Sequence, residues 1–203
     1  MTKRNFFSRL ALAMMMTVAF TGFTSCGNDN DDNDNDEPDA PVTLTSSYVV
    51  TFELGDDVMN TADITAHIAN PDGTLREEKV TKNKLSWTLT GDQLPDKAAV
   101  LLTFVPKKNI DETKVYNISI KGSMSATCLR GTGVVDATSN SNNFTIPIKG
   151  DKLALYYTGS GVGFAYGIGS DGKITRLDVD SFDFGLNGLW EWLAGWLKDE
   201  EAK

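Results

Sequence analysis

The stretch GIGSDGK, residues 167 to 173, carries the most suggestive chemistry in the chain. Gly167, Gly169 and Gly172 match G-x-G-x-x-G, a spacing whose glycines let backbone approach a dinucleotide pyrophosphate. Gly167, Gly172 and Lys173 also fit most of a phosphate loop. That loop needs Ser or Thr after its lysine, and Ile174 stands there. A dinucleotide fold needs a helix after the glycines. Here KITRLDVD, residues 173 to 180, alternates as a strand does. Asp171-Gly172 between two strand-like runs signals a hairpin turn instead, because glycine accepts positive φ.

Other reactive side chains are few. His67 is the single histidine. It shares a strand face with Asp63 and Thr65 and is expected to be exposed. Asp63, four residues away along a strand, lies about 13 Å off, too far to orient an imidazole. Zinc needs several His or Cys ligands, and the cysteines are only Cys26 and Cys128. Cys128 is expected to be a small strand or core residue with no disulfide partner. A two-carboxylate hydrolase needs its carboxyls about 5–10 Å apart across a cleft. The acids fall instead in an N-terminal run, in turns (Asp56-Asp57, Asp72, Asp92, Asp171) and on polar strand faces. No catalytic residue, metal or cofactor is expected. A small carboxylate-dependent hydrolase stays open as an alternative.

The first residues set the location. Lys3, Arg4 and Arg9 surround the start of an apolar run, Leu10 to Phe20. That run is shorter than the about 20 residues a spanning helix needs, and it reads as an export signal. The signal ends in Phe23-Thr24-Ser25-Cys26-Gly27, which resembles the lipobox of bacterial lipoproteins. The departure is Phe23, where an aliphatic residue is usual; lipoproteins of Bacteroidota resemble this looser form. The resemblance implies removal of residues 1–25 between Ser25 and Cys26. It also implies a diacylglycerol group on Cys26 and a further acyl chain, such as palmitate, on its amine. Several acyl chains anchor a protein stably without spanning the membrane.

Residues 26–44 follow as a tether. Asp29, Asp31, Asp32, Asp34, Asp36, Glu37 and Asp39 dominate it. It has too little apolar surface to order itself, and its charges repel. It lacks the Gly and Glu that an EF-hand loop requires at positions six and twelve. In Bacteroidota lipoproteins, acids just after the lipidated cysteine resemble a signal for the outer face of the outer membrane. Cell-surface display is therefore expected, with a periplasm-facing position as the alternative. Without Lys3, Arg4 and Arg9, 16 cations face 28 acids, leaving a net charge of −12. That charge argues against nucleic acid as a partner and against adsorption to anionic lipid.

From residue 45 onward, period-two alternation recurs. SYVVTFEL, ADITAHIA, REEKV, KLSWTLT, VYNISIKGSM, FTIPIKG, KLALYYT, GVGFAYGI and KITRLDVD each read as strands. Pro147 marks the strand at residues 144–148 as an edge. AAVLLTFV, residues 98 to 105, is apolar on both faces and reads as central and covered on both sides. The expected fold is one all-β domain, residues 45–203: an antiparallel β-sandwich (Ig-like or similar) of about ten strands. A lipocalin-like barrel carrying a small apolar ligand is the alternative.

One helix is expected, residues 186–200. Leu186, Leu189, Trp190, Leu193, Trp196 and Leu197 fall on one face. That stripe is expected to lie on the sandwich, against residues 98–105. A partner protein and the membrane interface remain open. Trp192 falls off the stripe and is the aromatic expected to be exposed. Trp190, Trp192 and Trp196 thus form a candidate recognition or packing surface, and the loops 107–114 and 130–143 are candidate recognition loops. Gly159, Gly161, Gly163, Gly167 and Gly169 leave one strand face nearly bare, and the tryptophan-bearing helix is the expected cover. The sequence points to a lipid-anchored binding or accessory module recognising a glycan or a protein.

Overall fold

The structure, a computed structural model, describes residues 43–158 and 161–186. The signal peptide, Ser25, Cys26, nearly all of the tether, and the C-terminal helix with Trp190, Trp192 and Trp196 lie outside the described residues. Among the described residues nine strands form two antiparallel sheets. Sheet I has the order β4-β1-β6-β7: Lys84–Gly91, Leu44–Leu54, Val115–Arg130 and Gly133–Lys149. Sheet II has the order β3-β2-β5-β8-β9: Leu75–Val80, Ala62–Ala69, Asp96–Pro106, Val162–Ile168 and Ile174–Arg176. Helices join the sheets, α1 (Asp56–Thr61) between β1 and β2, and α2 (Gly150–Thr158) between β7 and β8.

Alternation dictates which side chains meet between the sheets. Tyr48, Val50, Phe52 and Leu54 of β1 are buried, as are Ile118, Ile120, Met124, Ala126 and Cys128 of β6. They face Ile64, Ala66 and Ile68 of β2 and Val100, Leu102 and Phe104 of β5 in one apolar cluster. β5 is central in sheet II and buried on both faces, as its two-sided apolar sequence requires. β7, which carries Pro147, is one of the two edges of sheet I.

The sheets do not close into a barrel, so the lipocalin-like alternative and its enclosed ligand cavity are set aside. Hydrogen bonds accepted by acidic side chains bridge the two open sides instead. On one side Trp87 Nε1 of β4 donates to Glu78 of β3 at 3.0 Å. On the other the backbone N–H of Ile174 in β9 donates to Asp136 of β7 at 3.0 Å.

Three segments depart from the sequence reading. KLALYYT is not a strand but most of α2. Leu153 and Tyr157, four residues apart, are both buried, while Leu155 between them is 59% exposed. A short apolar run fits either period, and here the i, i+4 spacing wins. Residues 130–143 are not a long loop. Apart from the tight turn after Arg130, they extend β7, pairing across to β6 except at Val135, where the register shifts by one residue. KITRLDVD forms only the short β9, and then Val179–Ser181 makes a 3-10 turn.

Candidate functional site

Asp96, at the start of β5, organises one end of the sandwich. Its carboxylate accepts from the Tyr48 hydroxyl at 2.6 Å and from the Ser46 hydroxyl, both on β1. Tyr48 and Ser46 are buried. The carboxylate thus ties sheet II to sheet I, and both of its oxygens are engaged. Burial first, then the Asp96 hydrogen bond and charge, pushes the Tyr48 phenol far above its ordinary value. Tyr48 therefore stays a donor. Beneath it Cys128 is buried and unpaired. Desolvation raises the Cys128 pKa, with Asp136 and Asp96 adding to it, so the thiol is held in its unreactive form.

Two turns flank Asp96 with one design. In NPDGT, Asn70 N–H donates to Thr74 O at 2.9 Å, Gly73 N–H to Asn70 O at 3.0 Å and Thr74 N–H to Asp72 Oδ1 at 2.9 Å. In GSDGK, Gly169 N–H donates to Lys173 O at 3.0 Å, Gly172 N–H to Gly169 O at 2.9 Å and Lys173 N–H to Asp171 Oδ1 at 3.0 Å. Gly73 and Gly172 take φ of 82° and 80°, a region that side-chain-bearing residues rarely enter. The Gly-rich motif is therefore a hairpin turn between β8 and β9. Its amides at Gly169, Gly172 and Lys173 are spent on the turn itself, so they are not presented to a phosphate.

Two clefts open beside these turns, of about 540 and 420 Å³. Both are lined by Pro95, Asp96 and Lys97. The larger adds Gly167, Ile168, Asp171, Lys173, Thr175 and Leu177. The smaller adds Asn70, Pro71, Leu75, Phe182 and Asp183. The Lys97 ammonium sits 4.8 Å from the centroid of the Phe182 ring. Among the described residues neither Lys97 nor Lys173 is in an ion pair. The clefts offer two cations, Thr175 and apolar ground at Pro95, Leu177 and Phe182. Such surfaces suit a polar ligand with an apolar side. Among the described residues no group of three His, Cys, Asp or Glu side chains is arranged to hold a metal.

His67 is not exposed; it is 4% accessible. Nε2 shares a hydrogen bond of 2.9 Å with the Thr103 hydroxyl. Nδ1 lies 3.0 Å from Glu77 Oε1, but the contact lacks hydrogen-bond alignment. The Phe184 ring lies 6.1 Å from the imidazole, centroid to centroid. The cause of this burial is a strap, residues 177–184, which covers the outer face of sheet II. Leu177, Val179, Phe182 and Phe184 pack there on Ala69, Ala99 and Ala165.

The bare face of β8 receives the same strap. A Cβ at Gly163 would meet Val100 O at 2.7 Å and Val179 Cγ2 at 2.9 Å. Among the described residues it is the strap that lies on this face; the tryptophan-bearing helix that the sequence suggested as its cover lies outside them. The loop 107–114 lies at the opposite end, where Asp111 N–H donates to the Tyr116 hydroxyl at 3.0 Å. The structure does not bring it to the clefts. The clefts themselves went unread in the sequence, although the recurring Asp-Gly turns were the available signal. No protein-family model matches the chain, and no curated protein matches it.

Proposed function

We propose that the protein is a lipid-anchored recognition module, displayed on the outer face of an outer membrane through Cys26, that binds a glycan or a protein ligand without transforming it. The observation that carries the reading is the pair of clefts sharing Asp96 and Lys97. They combine a carboxylate locked by two hydroxyls with two ammonium groups that form no ion pair among the described residues, and with apolar ground. Recognition sites on β-sandwiches are commonly built from turns gathered at one end of a rigid scaffold. Each oxygen of the Asp96 carboxylate accepts a hydroxyl, from Tyr48 or Ser46, which suits the group to hold shape.

The test is a glycan and host-protein binding array on the mature chain, wild type beside Lys97→Ala/Lys173→Ala. Binding that the double variant weakens at least tenfold supports the cleft reading. Binding that survives unchanged moves the site elsewhere, and ligand turnover sinks the non-catalytic reading. The anchor is tested separately. Cys26→Ala should leave the chain unlipidated and soluble, and its retention in the membrane fraction would overturn the lipoprotein reading. Protease treatment of intact cells should remove the domain if it is displayed, whereas protection would place it facing the periplasm.

A further inference from the structure

We propose that the larger cleft takes one acidic sugar residue, its carboxylate or sulfate seated over Gly167 between Lys97 and Lys173. The proposal rests on the recognition reading above and names the chemistry this site selects. Strand register shapes the seat. Lys97 of β5 pairs with Gly167 of β8, and Gly167 pairs with Thr175 of β9. Directly paired residues share a face of a sheet. Lys97 stands two residues from Ala99, and Gly167 two from Ala165, so the row lies on the outer face of sheet II, where the strap packs. Neighbouring strands lie about 4.8 Å apart, which separates β5 from β9 by about 10 Å. The middle of the row carries no side chain. It is therefore a trough, floored by backbone, with the exposed side chains of Lys97 and Thr175 as walls. Leu177 gives it apolar ground, since a Cβ at Gly167 would meet Leu177 Cδ1 at 3.1 Å.

Charge decides what the trough holds. Lys173 lines the same cleft from the turn before β9. Asp96 and Asp171 line it too, but both are engaged within the protein. Asp96 accepts from Ser46 and Tyr48, and Asp171 Oδ1 accepts from the Lys173 N–H at 3.0 Å. Lys97 lies over the Phe182 ring at 4.8 Å, a contact that positions the ammonium without using a hydrogen-bond acceptor. Among the described residues neither lysine is in an ion pair. In a chain of net charge −9, two ammonium groups so placed select an anion. An ammonium is a point charge, so it receives carboxylate and sulfate alike.

The smaller cleft has the opposite balance. Asp72, Asp96 and Asp183 line it against Lys97 alone, so a second anion there would meet like charge. The ligand is thus acidic at one residue and neutral at the next, where Asn70 can meet hydroxyls. A sugar fits better than an acidic peptide. An extended peptide binds by pairing its backbone with free N–H and C=O groups. The N–H groups of Gly73, Thr74, Gly169, Gly172 and Lys173 are bonded within their turns, and the Ile174 N–H of the edge strand β9 is held by Asp136.

Matched pairs of sugars test this on the full mature chain. Hyaluronan fragments (carboxylated) and κ-carrageenan fragments (sulfated) alternate acidic with neutral residues, whereas oligogalacturonides are acidic at every residue. Each is measured beside its carboxyl-reduced or desulfated form, with polyglutamate as the acidic peptide. An alternating acidic sugar should bind about tenfold or more tightly than its neutral form, as a charged hydrogen bond implies, and more tightly than the oligogalacturonide. Which of the two alternating sugars binds tells carboxylate from sulfate. Equal binding of the neutral forms overturns the anion seat but leaves the recognition module standing. Binding of polyglutamate alone, or of no probe, also overturns the proposal; the recognition reading falls with it only if neutral glycans and proteins fail to bind as well. Gly167→Val fills the trough with both lysines in place and should weaken binding about tenfold at an unchanged melting temperature. Unchanged binding would refute the seat. Should that variant lose stability, Lys97→Met/Lys173→Met, at two exposed side chains, must show the same loss, and Lys97→Arg must retain binding.

Discussion

Replacing Asp96 by alanine is the sharpest test of how the cleft end is held. The substitution removes the acceptor of two hydroxyls, Tyr48 at 2.6 Å and Ser46, on the opposite sheet. Each buried donor left without a partner costs about 1–3 kcal/mol. The sum is about 2–6 kcal/mol. Asp96 is half-buried at a cleft, so water entering the vacated space can serve Ser46 at the rim. Tyr48 is fully buried and gains less from that water. The expected loss therefore falls below the middle of the range, at about 3 kcal/mol. Urea unfolding measures it as a lower midpoint at unchanged slope. Tyr48→Phe added to Asp96→Ala should recover part of the loss, because it deletes the stranded hydroxyl. A loss below about 0.5 kcal/mol, within the scatter for surface substitutions, would refute the reasoning. So would a double variant that simply adds the two single losses.

Other outcomes follow from the packing. Gly163→Ala places a methyl 2.7 Å from Val100 O and 2.9 Å from Val179. It should destabilise by about 1–3 kcal/mol, the usual cost of overpacking, and an unchanged melting temperature would show that the strap does not lie on β8. Burial pushes the Tyr157 phenol to about 12 from 10.0. Its stabilising contribution is complete below pH 10 and is lost as pH rises through 12, because the unfolded chain ionises first. Unfolding midpoints should therefore fall across that window, and less so in Tyr157→Phe; an identical fall in the variant would contradict the assignment.

The sandwich was legible because its cause is local. Period-two alternation in SYVVTFEL or ADITAHIA states which side chains face inward, and the sheets assemble by burying that face. The Asp171-Gly172 turn was equally legible, since positive φ at Gly172 is written in the residue type. KLALYYT was not, because Leu153, Leu155 and Tyr157 satisfy a strand while Leu153 and Tyr157 satisfy a helix. His67 was read as exposed from its polar neighbours Asp63 and Thr65. Its burial depends on Phe184, more than a hundred residues away in the chain, and no local pattern records that. The bare face of β8 did announce a close neighbour, but glycines state that something approaches without naming it. The clefts escaped for the same reason: Asp96, Asn70 and Lys173 become neighbours only when three separate turns gather at one end.

The long hairpin of β6 and β7 bears on how the chain reaches this structure. Its strands pair from Arg130 with Gly133 outward, so its first contacts close almost no loop. Hairpins of this kind form in about 1–10 μs. β1 must instead find β6 across the chain, Leu54 pairing with Ile120 and Tyr48 with Ala126. Folding of sandwiches dominated by such distant pairings takes milliseconds to seconds. The hairpin therefore stands ready as a template, and the capture of β1 sets the pace. Truncating Val50 or Met124, which pair across that seam, should slow refolding, and a chevron altered only in its unfolding arm would reverse that order.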